Sequence, residues 1–257
     1  MSYVITICSG KGGTGKTSTA INLAAALMEF GKNILLVDAN LTAPNLGLNL
    51  GLSKVPITLH DVLKGKCHAS EAVYVHASGL KVVPASIALK DIKDVNTTQL
   101  RPALEDLKKE AEIVIVDSAP GLSKDVVNTI KHSDEIIVVT NPDLASVTEA
   151  LRTIKVAENF KVPVRGVVLT RVRNDKLELS QQAIEKLLGK KILAVVPEDN
   201  AVRNALVKKE SVVEAHPESK AALQYKLLAA KILGKKFQVP EKKSRLLKIV
   251  RFFGLGK

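Results

Sequence analysis

Cysteine is almost missing from this chain: Cys8 and Cys67 are the only two among 257 residues. Two thiols build neither a disulfide framework nor a four-cysteine zinc site, and these two do not form a Cys-x-x-Cys pair. A reducing, cytoplasmic setting is therefore expected. Long apolar runs are also lacking. The longest fall well short of the ~20 residues that span a bilayer, so any membrane contact would be peripheral. The short apolar run Met1–Cys8 has neither the basic region nor the cleavage site of a targeting segment. The five histidines, His60, His68, His76, His132 and His216, show no ligand spacing with cysteines or carboxylates. They read as surface or capping residues. Acids are scarce relative to bases: 26 Asp+Glu against 38 Lys+Arg leaves a net charge of +12. That excess points to an anionic partner, whether nucleotide, nucleic acid or membrane surface. A hydrophobic content of 46% with 25% charged residues excludes disorder and collagen-like architecture. The length allows a substantial core.

Short β-branched runs alternate with longer helical patterns. Strands are expected at Tyr3–Cys8, Asn33–Val37, Leu80–Val83, Ile113–Val116, Glu135–Val139, Gly166–Leu169 and Ile192–Val195. Most are uninterrupted apolar runs, the pattern of strands covered on both faces in a parallel sheet. Helices are expected at Lys16–Phe30, Thr97–Lys109, Ser123–His132, Ala145–Asn159, Leu179–Leu188 and Pro217–Leu233. The alternation predicts a doubly wound α/β fold, with a mainly parallel sheet and helices on both faces. One domain is expected over 1–234, followed by a basic tail over 235–257.

The strongest motif is Gly10-Lys11-Gly12-Gly13-Thr14-Gly15-Lys16-Thr17. It fits the phosphate-loop pattern G-x-x-x-x-G-K-[ST], after an expected strand and at the head of an expected helix. Glycines let the backbone curl so that several N–H groups face a triphosphate. The helix N-terminus adds a positive dipole end. Lys16 is placed to bridge the β- and γ-phosphates, Thr17 to hold Mg²⁺, and Ser18 to reach the α-phosphate. Asp38 and Asp117 each follow an expected strand, where the carboxyl ends of a parallel sheet line the ligand crevice. There they could hold Mg²⁺ through water.

Lys11 gives the loop the form Lys-Gly-Gly-x-Gly-Lys-Thr, which resembles the deviant Walker A family that contains the MinD and ParA ATPases. The likeness extends over nearly the whole chain. Ile21–Leu27 looks like the family's first helix. Leu36–Asn40 with Asn45–Leu48 looks like switch I, and Val116–Leu122 like switch II with Walker B. Thr140-Asn141-Pro142 and Val196–Asp199 resemble MinD more than ParA. The resemblance implies an ATP hydrolase that forms a face-to-face homodimer on binding ATP. It also implies that Lys11 reaches the partner's nucleotide, as an arginine finger does. Arg171, Pro197, Glu198 and Asp199 would surround the adenine of ATP or ADP. Ser146–Glu149 would lie at the dimer and partner surface, with Glu149 where the MinD branch often has Asp. One position departs from the family. Switch I usually reads Asp-x-Asp, and its second Asp orients the attacking water; here it is Asn40. An amide can hydrogen-bond a water but cannot take its proton. Binding and dimerisation with slow hydrolysis are expected.

The tail carries eight basic residues and one acid, Glu241, and so holds +7 of the total +12. On a wheel of about 100° per residue, Leu246, Ile249, Val250 and Phe253 cluster, flanked by Leu247 and Phe252, with Lys248 and Arg251 opposite. This is the pattern of an interfacial amphipathic helix. MinD proteins resemble it in carrying a C-terminal membrane-targeting sequence. Docking on the domain and nucleic-acid binding are the alternatives; the tail has no interleaved stacking aromatics. Together these residues predict a MinD-like ATPase at the cytoplasmic face of the membrane that positions partner proteins through an unidentified activator or cargo. A ParA-like DNA-binding ATPase and a weakly hydrolysing scaffold are the rivals. Iron–sulfur carriers need paired cysteines, and small-molecule kinases have no use for a trans lysine.

Overall fold

The computed structural model describes residues 2–92 and 95–238. The amphipathic segment expected at 244–255, with Leu246, Lys248, Ile249, Val250, Arg251, Phe252 and Phe253, lies outside the described residues.

Eight strands form one sheet: β1 (Tyr3–Cys8), β2 (Ile34–Ala39), β3 (Tyr74–Val75), β4 (Lys81–Val83), β5 (Ile113–Ser118), β6 (Glu135–Thr140), β7 (Val164–Val172) and β8 (Ile192–Pro197). Their order is β3-β4-β2-β5-β1-β6-β7-β8. All neighbours are parallel except the short β3–β4 pair at one edge. Every residue of β2 and β5 is buried, as their unbroken apolar runs require of strands covered on both faces. Ile5 and Ile7 pack on one side with the helices Lys16–Glu29 and Lys220–Ile232. Val4 and Cys8 face the other side. The fold class is the one the alternation predicts.

The first helix runs through the core, with most of its residues buried. Ala20, Ala24 and Ala26 are inaccessible, and small side chains let the sheet and the last helix close on it from both sides. It ends before Gly31, whose φ of 78° gives the left-handed turn that a glycine supplies without steric cost. Side-chain caps start five of the other longer helices: Ser123, Asp143, Ser180, Asp199 and Ser219 each accept a backbone N–H of the first turn. After Ile232 the chain turns back along the first helix. The Phe237 ring meets Phe30 edge-on at 6.2 Å, and Lys235 lies 5.6 Å from the Phe30 ring. No helix among the described residues is long and apolar enough to cross a membrane.

Several boundaries differ from the sequence reading. β7 is nine residues long, because polar Arg165 and Thr170 continue the strand on either side of the apolar run. The two-residue β3 and the helix Asn200–Val207 had no periodicity strong enough to mark them.

Candidate functional site

β1 sits between β5 and β6: the crossover from β1 runs one way along the sheet, to β2, and the crossover from β5 runs the other way, past β1 to β6. The crevice at such a reversal is where open α/β sheets bind ligands. The glycine-rich loop lies in it. Gly13 and Gly15 have φ of 79° and 85°, which side chains with a Cβ resist. Gly10 is required for another reason: a Cβ there would come within 2.4 Å of the Glu149 carbonyl oxygen. Helix Leu144–Asn159 presses directly on the loop.

Lys16 is buried and its Nζ donates to Asp117 Oδ1 at 2.9 Å. Asp38 and Asp117 stand opposite each other on β2 and β5. Asp38 is inaccessible and accepts the backbone N–H groups of Asn40 and Leu46, both at 3.1 Å. Burial, and then the charge of Asp117, push the Asp38 carboxyl well above the usual carboxylate range. Asp117 Oδ2 is buried with no hydrogen-bond partner among the described residues. A buried orphan oxygen on a carboxylate that stands opposite a second carboxylate offers hard oxygens that suit Mg²⁺. Lys11 is exposed; its carbonyl accepts from the Ser9 and Thr14 hydroxyls at 3.1 and 3.4 Å, while its ammonium bonds no group among the described residues. The loop after β5 is tied to the phosphate loop, since Gly121 N–H donates to the Ser9 carbonyl at 2.9 Å.

Asn40 is not poised with a free amide. Its Nδ2 donates to the Ala43 carbonyl at 2.6 Å and its Oδ1 accepts from Ala43 N–H at 3.3 Å. Both ends of the amide brace the turn that follows β2.

Beyond the loop is a cavity of about 270 Å³. Its lining includes Gly15, Ser18, Arg171, Pro197, Glu198 and Asp199, so the structure brings together the residues expected around a base. Apolar walls come from Val196, Val202, Leu206 and Tyr225, and Arg203 adds a second guanidinium. Arg171 has φ 54°, a left-handed conformation uncommon for a residue with a side chain. The Asp199 carboxylate is otherwise engaged: it accepts Ala201 N–H at 2.9 Å and Ala221 N–H at 3.2 Å, capping two helices. Its contribution to the cavity is to hold the wall in place.

His60 corrects the reading of all five histidines as surface or capping residues. It is inaccessible. Its Nε2 meets the Leu41 carbonyl at 3.0 Å, and its Nδ1 accepts from Ser86 N–H at 3.0 Å. The imidazole thus ties the turn after Asn40 to the segment after β4; a lone histidine in a helical run gave no sign of this. His68 does cap, by accepting Ser70 N–H. Among the described residues no group of three or more His, Cys, Asp and Glu is placed to hold a metal ion. Burial holds the His60 pKa below its ordinary 6.5. The folded state therefore binds fewer protons than the unfolded chain below about pH 6.5, and stability falls as the pH drops through that value. His60→Leu should remove this dependence. It should also destabilise the protein by roughly 2–5 kcal/mol, because two backbone groups lose their buried partners. Urea unfolding at pH 7.5 and 5.5 checks both expectations.

A glycine-rich loop at the carboxyl end of β1, a buried lysine on a strand-end aspartate and a base-sized cavity beside them define a P-loop nucleotide-binding protein. The profile of the CobQ/CobB/MinD/ParA nucleotide binding domain matches residues 5–212. An uncharacterized ATP-binding protein of Methanocaldococcus jannaschii is 37% identical, over 98% of this chain and 96% of its own length. The septum site-determining protein MinD of Bacillus subtilis is 32% identical over 99% of both chains. MinD of Pyrococcus horikoshii, solved with Mg-ADP, superposes with a TM-score of 0.86 at 31% identity, covering 90% of this chain and 96% of that one. The chain belongs to the MinD/ParA family of P-loop proteins, and its relatives place it on the MinD side.

Proposed function

We propose that this chain is a MinD-like ATPase whose ATP-bound dimer binds an anionic membrane surface and positions partner proteins there. The observation that carries the reading is the convergence of Lys16, Asp38 and Asp117 beneath the glycine loop. Lys16 leaves Asp117 for the β- and γ-phosphates, while the loop N–H groups and the helix N-terminus hold the phosphate chain. Thr17, Asp38 and Asp117 would hold Mg²⁺, which would supply positive charge for phosphoryl transfer. The base occupies the cavity under Arg171, Pro197 and Glu198. Phosphoryl transfer depends mainly on position and charge, which these residues provide.

The Lys11 ammonium is the group its own site leaves unused among the described residues. Its exposure supports a role across a dimer interface, where a second copy presents a nucleotide to it. Sedimentation velocity tests this. The wild type should double its mass with ATP and Mg²⁺ and stay monomeric with ADP, whereas Lys11→Ala should stay monomeric in both. A dimer that forms equally with ADP, or without Lys11, would count against this reading.

A further inference from the structure

Thr170, on β7, is tied to the phosphate loop more closely than its place in the chain suggests. The residue is 3% exposed, and its hydroxyl donates to the carbonyl of Thr14, a residue 156 positions earlier. The same hydroxyl accepts from Asn141 Nδ2 at 3.1 Å, and that Nδ2 also reaches the Thr170 carbonyl at 3.0 Å. Asn141 follows the last residue of β6, so the carboxyl ends of two strands meet at one oxygen.

A hydroxyl has one proton to give. With the Asn141 amide donating into the oxygen, the Thr170 proton is directed away from it, toward the loop. A second acceptor, the Thr140 carbonyl, is more distant at 3.3 Å. The Thr14–Gly15 peptide is trans, since the described chain contains no cis bond. In a trans peptide the C=O and the N–H point in opposite directions across one rigid plane. Fixing the Thr14 carbonyl toward β7 therefore fixes the Gly15 N–H away from β7. Gly15 has φ 85°, and a glycine flanking such a peptide gives little resistance to its flipping. The hydrogen bond from Thr170 holds this orientation from outside the loop.

We propose that Thr170, oriented by Asn141, is a positioning residue for nucleotide binding: it locks the Thr14–Gly15 peptide with its N–H turned into the phosphate cradle. This rests on the nucleotide-binding reading above and adds a residue outside the loop motif. The group recognised is the β-phosphate of a nucleoside di- or triphosphate. Thr170 is also followed directly by left-handed Arg171 at the base cavity, so one backbone step serves both ends of the ligand.

The test is calorimetric titration of ATP, ADP and AMP, with Mg²⁺, into the wild type, Thr170→Val, Thr170→Ser and Asn141→Ala. Thr170→Val keeps the shape and removes the hydroxyl. It should weaken ADP and ATP by about tenfold, the worth of one hydrogen bond to a charged group, and change AMP by less than about twofold. Thr170→Ser should restore wild-type affinity. Asn141→Ala should lose part of the affinity for ADP, and it carries the test if Thr170→Val does not fold. ADP binding by Thr170→Val within about twofold of wild type would overturn the proposal, as would a parallel loss of AMP. A wild type that binds none of the three nucleotides would overturn the nucleotide-binding reading itself, which is a different result.

Discussion

Asn40→Asp is expected to raise the rate of ATP hydrolysis by about tenfold or more, with little change in ATP affinity. Two effects act in the same direction. A carboxylate can accept a proton from the attacking water, and a positioned general base contributes roughly 10²–10⁴-fold where proton transfer limits the rate. Phosphoryl transfer leans more on positioning and charge, so the lower part of that range, or less, applies. The second effect is local. The Asn40 amide is occupied at both ends by Ala43, donating to its carbonyl and accepting from its N–H. An aspartate keeps the acceptor half and loses the donor half, leaving a carboxylate oxygen facing the Ala43 carbonyl. That repulsion releases the side chain from the turn. The wild-type amide therefore both lacks the base and stabilises a switch I held by its own hydrogen bonds. Single-turnover hydrolysis of the two proteins compares them directly; equal rates would show that Asn40 positions water well enough unaided.

Phe252→Glu is expected to abolish vesicle binding by the ATP-bound protein. Burying a Phe side chain in an apolar phase is worth about 1.5–3 kcal/mol. A dimer presents two tails, so the loss is about 3 kcal/mol or more, at least a hundredfold in affinity. The new carboxylates also face anionic headgroups, where each basic residue had contributed roughly 1 kcal/mol. A single tail binds weakly and two bind through effective concentration, so a dimer-dependent anchor is sensitive to any change in one copy. DNA binding by the basic residues would scarcely register this substitution. Retained vesicle binding would therefore remove the apolar stripe from the account.

The sheet was legible because its strands are buried on both faces, and continuous runs such as Ile113–Val116 have no other comfortable place in a protein this size. The phosphate loop was legible because the backbone conformations it needs are available only to glycine, so the chemistry is written into residue type. Asp38 and Asp117 followed from position at strand ends. Residues acting through backbone contacts were not legible. His60 serves two peptide groups 45 residues apart, Leu41 and Ser86. Thr170 holds a carbonyl on another strand's loop. Neither leaves a periodicity, because the partner is a peptide group that every residue has. Asp199 shows the converse: the motif placed it at the base cavity, but its carboxylate oxygens are already committed to two helix starts.

The opening imbalance of charge divides in the same physical terms. The tail accounts for +7, beside an apolar stripe; the remaining +5 is spread over a nucleotide-binding domain. On the proposed function, nucleotide state controls membrane attachment through this tail. Co-sedimentation of the full chain with anionic vesicles, in ATP and in ADP with Mg²⁺, is the decisive measurement. Protein should pellet with vesicles in ATP and remain in the supernatant in ADP. Equal pelleting in the two nucleotides, or none in either, would contradict it.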